Sequence, residues 1–126
     1  MLESLSQLKS AYSNCSNCEL CHTRQSIVFG SGNPHSKLLL IGEAPGKEED
    51  IEGKPFIGRS GQLLRQLLRN VELDPEKDVF ITNLVKCRPP NNRNPKSKEI
   101  KSCLSILEQQ ISILKPEIII LIGSAC

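Results

Sequence analysis

Aromatic residues are scarce in this chain: three Phe, one Tyr and no Trp among 126 residues. Any core must therefore be built from Leu, Ile and Val. Long apolar runs are missing too. The longest, residues 118–122, is far too short to span a bilayer, and the N-terminus lacks the basic start and continuous apolar stretch of a secretory signal. These absences argue against membrane insertion and predict a soluble chain in the cytoplasm. No internal repeat or low-complexity tract occurs. A strong excess of one charge is absent as well, and a net charge of +2 does not by itself declare a nucleic-acid partner. The distribution says more. Lys86, Arg88, Arg93, Lys96, Lys98 and Lys101 crowd one segment, with Lys54 and Arg59 in another, which fits either a solvated face or a set of phosphate contacts.

A chain of this length buries one core and is most simply a single domain over residues 1–126. It carries six cysteines, which in an intracellular setting point to metal or redox chemistry rather than a disulfide framework. Cys15, Cys18 and Cys21 form a tight Cys-x2-Cys-x2-Cys group. Cys87 and Cys103 lie far downstream, and Cys126 is the last residue.

Leu2, Leu5 and Leu8 suggest a short helix before the cysteine group. Residues 27–34 read as an extended piece closed by Gly, Asn and Pro. Residues 38–41, Leu-Leu-Leu-Ile, form the first clear strand, apolar throughout as in a strand buried on both faces. Residues 47–53 are charged and read as a loop. Ser60 is placed to cap a helix carrying Leu63, Leu64, Leu67, Leu68 and Val71 on one stripe. Residues 79–84 read as a second strand, and the Pro- and Asn-rich residues 89–95 as irregular. Ser97 is placed to cap a helix bearing Ile100, Cys103, Leu104, Leu107, Ile111 and Leu114, and residues 118–122 form a third strand. The order strand, helix, strand, helix, strand predicts an α/β fold, three-layer α/β/α, with a central parallel sheet. A very apolar strand then feeds Gly123-Ser124, the usual entry to a further helix. The chain thus reads as lacking the last strand of a longer domain, or as needing a partner.

Two turns carry the chemistry. Gly42-Glu43-Ala44-Pro45-Gly46 follows the first strand, at the carboxyl edge where open α/β sheets place their ligands. It is no P-loop, since no Gly-Lys-Ser/Thr follows, so nucleoside triphosphate hydrolysis is not expected. Pro55-Phe56-x-Gly58-x-x-Gly61 supplies a second glycine-rich turn. Phe56 reads either as a core residue or as a stacking platform between the turns. Asn83, polar at the end of an apolar strand, is either a turn residue or a reader of a pyrimidine edge, with one donor and one acceptor to offer. Cys15, Cys18, Cys87 and Cys103 can bring four thiolates to zinc or to an iron–sulfur cluster. Spacing does not separate the two, and Cys103 also fits a buried core thiol.

Together, Gly42-Glu43-Ala44-Pro45-Gly46, Glu49-Asp50, Pro55-Phe56-x-Gly58-x-x-Gly61-x-Leu63-Leu64 and Thr82-Asn83-x-x-Lys86-Cys87-Arg88-Pro89-Pro90 resemble the family 4 uracil-DNA glycosylases. The likeness runs from about Cys15 to Gly123. It implies a [4Fe-4S] cluster on Cys15, Cys18, Cys87 and Cys103, with zinc the less favoured occupant, Cys21 spare and Cys126 incidental. It implies that Glu43, Ala44 and Pro45 line a uracil pocket, that Phe56 stacks on the base and that Asn83 reads its edge. Glu49 would help to position the attacking water. Lys54, Arg59, Lys86, Arg88 and Arg93 would hold phosphates of uracil-containing DNA. The implied activity is base excision: a flipped deoxyuridine loses uracil and leaves an abasic site.

The sequence departs from that family at one point. Its members carry a later His-Pro loop, whereas His22 and His35, the only histidines here, both precede the first pocket motif. Losing such a histidine is expected to cost on the order of 10²-fold in rate. The family's fourth strand, absent with that loop, would cover residues 118–122, which are thus expected to form an apolar, unpaired edge. The alternatives are a catalytically incomplete iron–sulfur module that binds nucleic acid, a chain completed by a partner that supplies the missing strand and loop, and, less favoured, a small electron carrier.

Overall fold

Strand β2 (Leu38–Gly42) organises the molecule, because its alternate side chains feed two separate cores. Leu39 and Ile41 join Phe80, Leu84, Leu107 and Leu114 on one face. Leu40 joins Leu68, Val79 and Ile81 on the other. A strand covered on both sides has no polar phase, which is why its sequence is uniformly apolar. The computed structural model describes residues 4–15 and 19–123.

Strand β3 (Val79–Asn83) runs parallel to β2 with Leu38 opposite Val79 and Gly42 opposite Asn83. Strand β4 (Ile118–Leu121) runs parallel on the other side of β2. Two residues, Ser31–Gly32, form β1, which pairs antiparallel with β3 and completes the order β1-β3-β2-β4. The sheet is therefore mixed, with an antiparallel rim that the periodicity of so short a piece does not reveal.

Helices α1 (Leu5–Ala11) and α4 (Ser97–Leu114) pack together on one face, where Leu8, Phe29, Val85, Cys103 and Ile106 form a third apolar cluster. Helix α3 (Arg59–Asn70) covers the other face, so the three layers expected from the sequence are present. Its stripe is buried only in part. Leu68 is buried and Leu64 partly so, while Leu63, Leu67 and Val71 are 61%, 53% and 66% exposed. The side chains of β4 are exposed as well, and this strand stands at the sheet edge. No helix among the described residues is long and apolar enough to cross a membrane.

Residues expected to form a loop instead form helix α2 (Lys47–Glu52). Its inward residues are Glu49 and Asp50, both buried. The Asp50 carboxylate accepts the N–H groups of Gln25 and Ser26 at 2.8 and 3.1 Å. A helix that buries carboxylates has no apolar period to detect. The caps also shift. Helix α3 begins after Gly58 rather than at Ser60, and α4 is capped at Lys96, whose N–H donates to Glu99 Oε1 at 2.8 Å.

Helix α3 reaches the second glycine turn through Gly61. A Cβ there would lie 2.0 Å from the Phe56 carbonyl carbon and 2.2 Å from its oxygen. Alanine normally favours a helix interior over glycine by about 1 kcal/mol. Here the sign reverses: Gly61→Ala is expected to destabilise by about 3 kcal/mol, since backbone cannot give way as a side-chain tip can. Urea denaturation of both proteins measures the difference.

Candidate active site

The carboxyl ends of β2 and β3 converge on one cavity. Its floor depends on Gly42, the last residue of β2. A Cβ at this position would lie 2.3 Å from Phe56 Cζ and 2.5 Å from Asn83 Oδ1. Only glycine lets ring and amide come this close to the strand end. The Glu43 side chain lies beside Gly123, just past β4, where a Cβ would meet its Oε1 at 2.5 Å.

The cavity holds about 220 Å³ and is lined by residues 43–46, Glu49, Phe56, Ser60, Asn83 and residues 92–95. That is roughly seven waters' worth at ~30 Å³ each, room for one small flat heterocycle. All six residues expected to form the pocket or act in it, Glu43, Ala44, Pro45, Glu49, Phe56 and Asn83, line this single space. Ser60, expected as a helix cap, and Asn92, Asn94 and Pro95, in a stretch expected to be irregular, form a further wall. A signal was present: Asn91 and Asn92 take φ values of 57° and 56°, a left-handed conformation that asparagine tolerates better than most residues.

Asn83 is 2% exposed as a residue, yet its side chain lines the cavity, and no hydrogen bond among the described residues reaches its amide. Its donor and acceptor are therefore available to whatever occupies the cavity. Glu49 is the opposite case. Its Oε1 accepts the N–H of Gly46 at 3.0 Å, and its Oε2 accepts those of Ile57 and Gly58 at 2.9 and 2.5 Å. One carboxylate thus caps α2 and α3 together and ties the two glycine turns to each other.

The expected phosphate-binding cations divide. Lys54 and Arg59 are exposed on either side of the Phe56 turn. Arg88 is half-buried, its Nε donating to Asn92 Oδ1 at 2.7 Å. Lys86 corrects the expectation, because it is 1% exposed and its ammonium points inward. Nζ donates to Thr82 Oγ1 and to the Asn83 carbonyl, both at 2.6 Å. Burial pulls its pKa down to about 7, against the opposing pull of Cys103. A lysine sealed in this way does not reach a phosphate. Arg93 lines the cavity but forks onto Glu99, with two bonds of 2.7 Å.

Three of the four expected cluster ligands, Cys15, Cys87 and Cys103, line a second cavity with Leu20, Arg24, Ile27 and Ile106. Cys18 lies outside the described residues, and Cys21 does not line this cavity. Arg24 Nη1 donates to Cys87 Sγ at 3.4 Å, and the Lys86 N–H donates to Cys103 Sγ at 3.3 Å. Apolar walls with N–H donors on two of the sulfurs suit a thiolate-bound group. Among the described residues no three Cys, His, Asp or Glu side chains close on a single ion; what these cysteines share is the cavity. Cys103 is also part of the core beside Leu8 and Ile106, in keeping with its reading as a buried core thiol.

The Arg93 fork and the Lys96 N–H hold the Glu99 carboxyl well below its ordinary 4.5, at about 2, although burial works against them. A depressed carboxylate stabilises the fold fully above pH 4.5 and loses that contribution as pH falls toward 2. Unfolding followed between pH 5 and pH 2 should therefore show a steeper loss for the unmodified chain than for Glu99→Gln.

The pocket at the strand ends is walled by the two turns that carry the family resemblance, and comparison with known proteins bears on the same residues. The chain is 46% identical over 123 residues to a type-4 uracil-DNA glycosylase of Sulfurisphaera tokodaii, covering 97% of this chain and 56% of that protein. A type-4 uracil-DNA glycosylase of Pyrobaculum aerophilum is 47% identical over 119 residues, 94% of this chain and 60% of the relative. A DNA polymerase of Bacillus phage SP01 is 34% identical over 95 residues, 75% of this chain and 10% of the polymerase. The chain thus spans somewhat over half the length of the type-4 relatives it matches. Residues 29–126 match the uracil DNA glycosylase superfamily, a stretch that holds both turns and Asn83, and the chain belongs to that superfamily.

Proposed function

We propose that this chain forms the base-binding part of a uracil-DNA glycosylase that hydrolyses the N-glycosidic bond of a flipped-out deoxyuridine. The observation that carries the reading is the Asn83 amide, which lines the cavity beside the Phe56 ring over Gly42 with no hydrogen bond to it among the described residues. Asn83 Oδ1 accepts from uracil N3–H and its Nδ2 donates to O4. Cytosine reverses both positions and is rejected, because it would leave buried polar groups unpaired. Phe56 stacks on the extruded base, and Glu43, Ala44 and Pro45 enclose it. As the bond breaks, negative charge gathers on uracil. Gly46 donates its N–H to Glu49 and Pro45 has none to offer, so a uracil oxygen at this turn is met from its earlier residues, with the Ala44 N–H as one donor. Glu49 fixes the walls. Its Oε1, with one backbone bond against two on Oε2, retains capacity to hold the attacking water.

Lys54, Arg59 and Arg88 contact the DNA backbone, with Arg93 acting mainly to hold its loop. The second cavity supports a [4Fe-4S] cluster on Cys15, Cys18, Cys87 and Cys103, with zinc the alternative. When bound, the group supplies a covalent tie between the N-terminal segment, the chain after β3 and α4. A protein or chain segment that adds a histidine loop at the β4 side would complete the site. The likeness to part of a phage DNA polymerase favours a second reading, a module that binds DNA without releasing the base.

An anaerobic assay on a single-uracil oligonucleotide, with alkaline cleavage of the abasic product and iron and sulfide determined on the same sample, separates the two readings. Base release supports the glycosylase, while salt-sensitive binding without release supports the module. Asn83→Ala is expected to lower the release rate by about 10²-fold or more, and Asn83→Asp to admit cytosine. Unchanged uracil release in both variants would remove Asn83 from the mechanism. In binding titrations, replacing both Lys54 and Arg59 by Ala should flatten the log K against log salt slope by about 1.8 on duplex DNA, at ~0.9 per phosphate.

A further inference from the structure

One buried cation has no part in the account so far. Arg65 lies on α3 and is 8% exposed, among residues that otherwise turn Leu64 and Leu68 toward the sheet. Taking a guanidinium out of water costs several kcal/mol unless its donors are met. Here they are: Nε donates to the Phe56 carbonyl at 2.8 Å, Nη2 to the Pro55 carbonyl at 3.1 Å, and Nη1 to Glu76 Oε1 at 3.1 Å. Two of the three bonds go to consecutive carbonyls of the turn that presents Phe56.

That turn needs holding. Phe56 has φ 53°, in the left-handed region where a bulky side chain is an outlier, and such strain persists only where its surroundings over-determine it. Glu49 secures the following side, through the N–H groups of Ile57 and Gly58. Gly61 brings the α3 backbone flush against the Phe56 carbonyl. The preceding side, the carbonyls of Pro55 and Phe56, is met by Arg65.

We propose that Arg65 is a positioning residue for the base pocket: its forked guanidinium locks the left-handed Phe56 backbone and so keeps the ring over Gly42. A planar fork is required, because lysine offers a point charge that reaches one carbonyl at a time. The arm on Glu76 is secondary. That carboxylate is 67% exposed, and ion pairs in solvent contribute little. The catalytic consequence rests on the glycosylase reading, whereas the effect on Phe56 does not.

The test uses the full chain labelled with 4-fluorophenylalanine. Its three phenylalanines, Phe29, Phe56 and Phe80, give three fluorine resonances, with that of Phe56 assigned by its loss in Phe56→Leu. In Arg65→Met, which keeps the apolar stem and removes the fork, the Phe56 resonance should move or broaden while Phe29 and Phe80 hold their positions. Glu76→Gln should match the unmodified chain, and Arg65→Lys should fall between. On a uracil oligonucleotide, Arg65→Met should lower kcat/KM on the order of 10²-fold, as misplacing a binding group does, with most of the loss in kcat. An unmoved Phe56 resonance in Arg65→Met overturns the proposal. So does an equal disturbance of all three resonances, which marks a general structural role. Should Arg65→Met fail to fold, Arg65→Lys and Arg65→Gln decide on the same readout. If the unmodified chain releases no uracil, the glycosylase reading fails and the fluorine shift still judges Arg65.

Discussion

Three backbone N–H groups converge on the two oxygens of Glu49, and the geometry of the pocket depends on them. The carboxylate sits in the first turn of α2 and against the start of α3, two places where exposed amides and the helix dipole favour negative charge. Hydrogen bonds to a charged group are worth about 1.5–3 kcal/mol each. The two that fall on the Phe56 turn, from Ile57 and Gly58, together at least match the strain of holding Phe56 in the left-handed region, of order 1–3 kcal/mol. The Glu43–Gly46 turn and the Phe56 turn are thus one unit rather than two loops that happen to meet. Gly42 and Gly61 then let the ring and the backbone approach to distances no other residue allows.

Lys86 joins this unit to the cysteine cavity. Its backbone N–H meets Cys103 Sγ and its ammonium meets the Asn83 carbonyl. Thr82 Oγ1, which accepts from the same ammonium, donates to the Phe29 carbonyl, where Gln110 also donates at 2.7 Å. A buried polar network of this kind is stabilising only when its members are met, so the cysteine-lined cavity and Asn83 are held in register by shared contacts.

Much of this was legible in the sequence, for identifiable reasons. Residues 38–41 and 79–83 announce themselves because strands buried on both faces are apolar without interruption. The two glycine turns stand out because they follow a strand end, where open α/β sheets place their ligands, whereas the roles of Glu43, Ala44, Pro45, Glu49, Phe56 and Asn83 in one pocket came from the family resemblance. Helix α2 was missed because its buried face is Glu49 and Asp50. Lys86 was misread because a lysine in a row of cations looks solvated, and only the fold shows its side chain turning under Asn83. Arg65, in a helix of leucines and exposed arginines, gave no sign that its partners were two carbonyls nine and ten residues away. The half-exposed leucine stripe of α3 reflects a limit of periodicity: it reports which residues share a face, not what covers that face.

The central claim is that the cavity at the strand ends reads uracil through the Asn83 amide. The most direct measurement is a titration of the isotopically labelled chain with free uracil and with free cytosine, following the Asn83 side-chain amide resonances. The account predicts a saturable shift of both Asn83 amide protons with uracil, and little with cytosine at the same concentration. Equal responses to the two bases, or saturation by uracil that leaves the Asn83 resonances in place, would contradict it.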